Sequence, residues 1–327
     1  MTPSRMTLIN HINLPRRPFA SLLRYFHKAR ITTLLLFCAA ITLFAVYLHN
    51  FEPNRDRSNS WQAKIISLNP LFGGPDNYNA WSKRPRIGKV SILYGDKKPA
   101  HERALKTQEK HNRLHGYSMH LLRRGILDGY WTKPAYILSL ILQELGKQDS
   151  ERLSWLFWVD ADTVVLNSHV PLEIFIPPTQ HKDIHLLVTK DWNGLNNGVF
   201  LLEVTPWAVE LFTAIASFRD FQPNTTLTFQ DQSAMEILLK EPKSANHTVT
   251  VPQRWFNAYK DEKDKELKAD QVRGGDLLVH LAGVNPREKY LDEWCDRYEE
   301  DPSVWEIALE NTTYPTETKE FWENLKT

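Results

Sequence analysis

The chain is poor in cysteine. Only Cys38 and Cys295 occur in 327 residues, which leaves no room for a framework of intramolecular disulfides, so a buried core must hold the fold together. There is no excess of either charge: 40 Lys+Arg oppose 39 Asp+Glu, a net of +1. No overall basic field therefore points to a nucleic-acid partner. Neither GxxxxGK[ST] nor GxGxxG occurs, and there is no GxSxG elbow or HExxH helix. These absences remove most phosphate-loop, dinucleotide, hydrolase and metalloprotease readings. Internal repeats and low-complexity tracts are also missing. What remains, 42% hydrophobic and 24% charged, is the composition of a packed, water-soluble body of one large domain or two ordinary ones.

The even charge hides a division. Residues 1–50 contain Arg5, Arg16, Arg17, Arg24, Lys28 and Arg30 and no Asp or Glu, leaving 34 basic and 39 acidic residues for the rest. Within that basic segment, Ile31 to Leu48 is an uncharged run of 18 residues, about 27 Å long as a helix. A cleaved signal peptide competes with a retained anchor. However, 30 residues precede the run, and Val46-Tyr47-Leu48 offers no small-x-small cleavage site. A buried soluble helix is the remaining alternative. The flanking charges predict a basic cytosolic tail over 1–30, a transmembrane signal-anchor over 31–48 and a lumenal remainder. Three glycosylation triplets, beginning at Asn224, Asn246 and Asn311, lie on the expected lumenal side.

Residues 49–86 are rich in Asn, Ser, Arg, Pro and Gly, with a possible short helix over Trp61 to Leu68, and read as a stem. From 87 to 327 the pattern is α/β. VSILY (90–94) reads as a buried first strand ended by Gly95. It is followed by a polar helix through ERALKTQEKHNRL, a strand from Tyr117 to Leu121, and a helix opening at Pro134 and closing at Gly146. WLFWV (155–159) is short and wholly apolar, as a central strand covered on both faces would be. Further strands are expected at 185–189, 198–204, 248–251 and 276–281, with helices near 207–218 and 231–240. Alternation of this kind predicts a Rossmann-like, mostly parallel sheet flanked by helices.

Asp160 and Asp162 leave the carboxyl end of that central strand, the edge where ligands bind in open α/β sheets. Two adjacent carboxylates repel unless a cation lies between them, and hard oxygen ligands suit Mn²⁺ or Mg²⁺ bridging to a diphosphate. A solvated turn with an N-capping aspartate is the plain alternative. His280 closes another apolar strand before Leu281-Ala282-Gly283 and is placed to complete a metal shell, though a lone histidine there is commonly only hydrogen-bonded. The stretch from Asp191 through Trp192 to Gly198 combines amides with an aromatic face. That suits a sugar, and it equally suits an ordinary glycine-rich turn. Asp231 reads as an N-cap unless the site geometry recruits it. Lys133, at a helix start, is placed for a phosphate or for solvent.

In order, HGY (115–117), W-x-K-P (131–134), FWVDADTVVLN (157–167), DWNGLNNGVF (191–200), QDQSA (230–234), VPQRWFNAY (251–259) and GDLLVHLAG (275–283) resemble the fungal galactosyl/mannosyl transferase family. These are retaining glycosyltransferases that also include the plant xyloglucan xylosyltransferases, and the resemblance spans about residues 87–290. It implies a GT-A fold and a Golgi type II membrane enzyme using Mn²⁺ (or Mg²⁺). The implied donor is a nucleotide sugar, UDP-galactose or GDP-mannose, with xylose in the plant branch. The implied acceptor is a glycan or glycoprotein, with other Golgi glycosyltransferases as partners and no nucleic acid. On the matching positions, Asp160, Asp162 and His280 are the implied metal set, and Asp231 and Gln232 the acidic-glutamine pair at the reacting sugar. Tyr94, Gly95, Lys133, Ala161, Asn196, Gly198 and Gly283 are the positions expected around the donor. Gln230 departs from the pattern where some members carry a second carboxylate, as does Glu203 where arginine is common.

In a retaining transfer the acceptor oxygen arrives on the face that the diphosphate leaves. It can do so through an ion pair, or after a double displacement with Asp231 as nucleophile. Asp160-Ala161-Asp162-Thr163-Val164 also satisfies the DxDx[TV] motif of haloacid-dehalogenase-type phosphatases. In that class the motif normally sits on the first strand, whereas here about 70 residues of α/β sequence precede it. A membrane-anchored lectin or inactive homologue is the non-enzymatic alternative, and it would have no need of Asp160, Asp162 and His280 together.

Overall fold

A computed structural model describes residues 86–96, 98–262 and 265–326, all within the unit Lys83–Thr327. The basic tail, the anchor, the stem up to residue 85 with its short helix, and Cys38 lie outside the described residues. Among the described residues, no helix is long and apolar enough to cross a membrane.

The first half of the body follows the expected alternation. Strand β1 (Ile87–Ile92) leads to α1 (Pro99–His115) and β2 (Ser118–Leu122). Helix α2 (Thr132–Leu145) leads to β3 (Trp155–Val159). Pro134 lies in the first turn of α2, where its missing N–H costs nothing, and Gly146 caps the end. β2, β1 and β3 run parallel.

Beyond β3 the expectation of a mostly parallel sheet is corrected. β5 (Leu186–Asp191) and β6 (Gly194–Glu203) form a hairpin whose connection is Trp192-Asn193, and β6 pairs antiparallel with β3 as well. β7 (Thr248–Thr250) pairs parallel with β5. The result is a mixed six-stranded sheet in the order β2-β1-β3-β6-β5-β7. The sequence signal was the Asn193-Gly194 pair between two apolar runs. It was masked because strands covered on both faces are uniformly apolar whatever their direction.

A second correction concerns His280. It closes β9 (Leu278–His280), which belongs not to the main sheet but to a small one, where β4 (Thr163–Val165) pairs antiparallel with β9 and β8 (Ala258–Tyr259) pairs parallel with it. The connection from β3 to β4 is therefore the short turn Asp160-Ala161-Asp162 that steps from one sheet to the other.

The period-2 alternation of β3 divides the core. Leu156 and Trp158 face a layer containing Ile137 and Ile141 of α2, Phe212 of α3 (Pro206–Phe221) and Met235 of α4 (Asp231–Leu239). Trp155, Phe157 and Val159 face the opposite layer, with Phe175, Trp255, Phe256 and Tyr314. The small sheet packs through Val164 and Val279 on α1 and on α5 (Arg287–Glu300), where Cys295 is buried as a free thiol. A last helix, α6 (Tyr314–Asn324), closes the second layer. Buried Arg254 ties this end together, forming ion pairs with Asp276 and Glu317. Both helices lie beyond the segments read from sequence.

Candidate active site

Each chemical residue is delivered by an element's end. β1 ends before Leu93 and Tyr94, β3 before Asp160, and β9 at His280. α2 begins with Lys133 in its first turn, and α4 begins with Asp231 and Gln232. All of these residues line one cavity of about 650 Å³, within the range for small-molecule sites. Ala161, Asp162, Asn196, Gly198 and Gly283 line it too. Gly95 follows Tyr94 outside the lining, so of the expected donor positions it alone is not brought to the cavity wall.

Asp160, Asp162 and His280 each present a ligand atom, and these atoms lie within 4.8 Å of one another. The two aspartates converge through the turn between β3 and β4 and not along a strand. Asp162 is buried, with His280 Nε2 at 3.3 Å from its Oδ1 and Arg287 Nε at 3.1 Å from its Oδ2. Burial pushes its carboxyl up, but the charges of His280 and Arg287 outweigh that and hold it below the usual carboxylate range.

His280 is oriented from behind. Its Nδ1–H donates to Asn257 Oδ1 at 2.6 Å. The Asn257 amide is fixed in that sense because its nitrogen donates to Thr189 Oγ1 at 2.7 Å and Asn196 Oδ1 at 3.0 Å. Nε2 is thereby turned toward a carboxylate oxygen of Asp162, an approach that a proton on Nε2 satisfies and that a cation shared between the two groups satisfies equally. Two carboxylates and an imidazole positioned in this way fit a hard divalent ion.

Gly198 makes this approach possible. A Cβ there would stand 2.2 Å from His280 Cε1 and 3.0 Å from Asn196 Oδ1. Asn196 is the hub of the hairpin side. Its side-chain oxygen accepts from Gly198 N at 2.9 Å, and its nitrogen donates to Asp191 and to the Tyr259 hydroxyl. Burial, followed by the Asp191 hydrogen bond, pushes the Tyr259 phenol well up, so it stays a donor.

Asp231 lines the same cavity. It is not the N-cap but the first helical residue of α4, after Gln230. Its Oδ2 accepts from Asn197 Nδ2 at 2.9 Å, while the Gln232 side-chain oxygen accepts from Asn197 N at 3.1 Å. Burial raises the Asp231 carboxyl, with Lys133 and the Asn197 bond pulling the other way. Lys133 is not a solvated surface lysine. Its Nζ lies 3.3 Å from Asp160 Oδ1, donates to both Asn197 oxygens, and sits 4.8 Å from the Trp158 ring centroid. Trp158 Nε1 donates to the same Asp160 oxygen at 2.8 Å.

Sequence reasoning missed Arg287, Asn257 and Asn197. Asn257 lies inside the VPQRWFNAY segment, and Asn197 inside the amide-rich turn. Nothing local marks Arg287, which reaches the cavity only because α5 starts beside the small sheet.

Residues 175–291 match the galactosyl transferase GMA12/MNN10 family. The resemblance read from the motifs is thus borne out. Xyloglucan 6-xylosyltransferase 2 of Arabidopsis thaliana is 25% identical over 288 residues, 74% of this chain and 58% of that one. An uncharacterized alpha-1,2-galactosyltransferase of Schizosaccharomyces pombe is 22% identical over 251 residues, 61% of this chain and 62% of that one. The first curated relatives are longer proteins, of which the chain spans 58%, 43% and 63%. Among solved structures, a glycosyltransferase involved in the glycosylation of the major capsid of PBCV-1 is similar, with TM-score 0.50 and 19% identity, covering 64% of this chain and 100% of that one. The fold is accordingly of the GT-A type, with a mixed sheet flanked by helices.

Proposed function

We propose that the protein transfers a hexose, galactose or mannose, from a nucleotide sugar to a glycan acceptor with retention, as a Golgi type II membrane enzyme. The observation that carries this reading is the presence, in one cavity, of the Asp160–Asp162–His280 ligand set and the buried Asp231, which is linked to Asp160 through Asn197 and Lys133. Within the cavity, Asp160, Asp162 and His280 would hold Mn²⁺ or Mg²⁺. Such an ion supplies Lewis-acid neutralisation of the leaving nucleoside diphosphate.

The chain's own groups do the rest. Lys133 and Arg287 place two further cations at the cavity, available to the diphosphate oxygens. As the bond from the anomeric carbon to the phosphate oxygen breaks, positive charge grows on the sugar. Asp231 stands beside it, oriented by Asn197. The acceptor oxygen then bonds to that carbon on the departed face, and its proton passes to the freed phosphate oxygen. Tyr259, Asp191 and Asn196 keep the Asn196–Gly198 strand in place while this happens.

The phosphatase alternative gains nothing from the fold, because β1 and β2 precede the Asp160 strand. The matched family and its relatives support a sugar transfer instead. The test is a donor screen of the full chain with UDP-galactose, GDP-mannose and UDP-xylose, followed by NMR of the product's anomeric signals. Turnover of a hexose donor with an α-linked product supports the proposal. An inverted product, or release of phosphate from simple phosphomonoesters with no sugar transfer, would contradict it.

A further inference from the structure

Besides Tyr94, two aromatic residues that line the cavity are exposed. Tyr130 is 67% exposed and Phe229 43%, yet both line the cavity that holds Asp231. The backbone carrying each is braced. Asp128, two residues before Tyr130, forms a two-pronged ion pair with Arg219 of α3, and the Arg219 guanidinium lies 5.0 Å from the Trp131 ring centroid. Tyr130 therefore sits between two anchored neighbours. Phe229 N donates to Ser233 Oγ at 2.9 Å, and its carbonyl accepts from Gln232 N at 3.0 Å. That second bond closes a turn through Gln230, whose backbone adopts φ 42°, ψ −113°. A residue with a side chain rarely adopts this conformation, so the turn is held by its surroundings.

Rigid backbone with an exposed aromatic face is a preorganised contact for a ligand with apolar faces and polar edges. A pyranose ring is such a ligand. Because both rings are continuous with the cavity, the occupant is the chain of sugars that enters it. We infer that Tyr130 and Phe229 form a subsite that stacks on a sugar ring of an extended glycan acceptor, beyond the residue that receives the transfer. The inference rests on the proposed transferase reading for the identity of its ligand. It deepens that reading by making the acceptor an oligosaccharide recognised through apolar faces.

The experiment is saturation-transfer NMR and titration of the full chain with mannotetraose and cellotetraose, each beside its methyl monosaccharide. The expected result is that at least one tetrasaccharide binds, and binds more tightly than the monosaccharide. Tyr130→Ala and Phe229→Ala should each weaken that binding by about tenfold, and Tyr130→Trp should restore most of it. Phe221→Ala serves as the control for loss of an exposed aromatic outside the cavity, since Phe221 is 78% exposed and lines none of it. The inference is overturned if neither tetrasaccharide binds, if Tyr130→Ala binds like the wild type, or if Phe221→Ala loses as much. It is also overturned if the rim variants change only self-association in ultracentrifugation. Donor turnover by the wild type separates the two claims. Tetrasaccharide binding through the rim without any donor turnover would remove the transferase reading, and turnover with Tyr130-independent binding would remove only the subsite.

Discussion

His280 and Asn257 are joined by a 2.6 Å hydrogen bond from the imidazole Nδ1–H to the amide oxygen. The bond fixes the tautomer that leaves Nε2 free for a cation. Asn257→Ala should therefore raise the dissociation constant for Mn²⁺ by about 10–100-fold, as loss of a ligand-orienting partner does, measured by isothermal titration. The thermal unfolding of the same variant, in chelator, separates this effect from the cost of removing a buried amide.

Gly198→Ala tests the close approach of the β6 backbone to His280. The added methyl has no room at 2.2 Å from the ring, so His280 or the β6 backbone must shift and the ligand set is disturbed. Metal affinity and donor turnover should both fall by about two orders of magnitude or more. Circular dichroism should show the sheet intact.

The pH profile should report Asp231. Its carboxyl is raised by burial, and a raised acid stays protonated to a higher pH than a free one. If the ionised form faces the cationic sugar, donor turnover should be lost as the pH falls, with the midpoint above the ordinary value of about 4. Asp231→Asn should lose most activity at every pH and show no such limb. A midpoint at or below the ordinary value would contradict the assignment.

Arg254 tests the core rather than the chemistry. Its guanidinium is enclosed with Asp276 and Glu317, and Arg254→Met leaves the Asp276 carboxylate buried and unpaired. The expected loss is about 3–5 kcal/mol in urea denaturation, without a specific effect on metal binding.

Much of this site was legible because its chemistry is carried by residues next to strong local signals. The run WLFWV marks a strand covered on both faces, and the aspartates that follow it fall at a strand end by necessity. Asp231 was harder to read, since a residue at a helix start looks like a cap whether or not it faces a cavity. Strand direction was misread because apolarity on both faces of β5 and β6 carries no sense of direction, although Asn193-Gly194 held the hairpin signal. The sheet to which His280 belongs, and the arrival of Arg287, depend on contacts between segments far apart in the chain. Tyr130 and Phe229 became visible only through exposure, which no pattern in the sequence encodes.

The most direct test of the central claim is donor turnover by the full chain with Mn²⁺, with chelator, and in Asp162→Ala. The account predicts turnover of a hexose nucleotide sugar that stops with chelator, returns with added metal, and is absent from the variant. Turnover that survives chelator or the Asp162 substitution would contradict it.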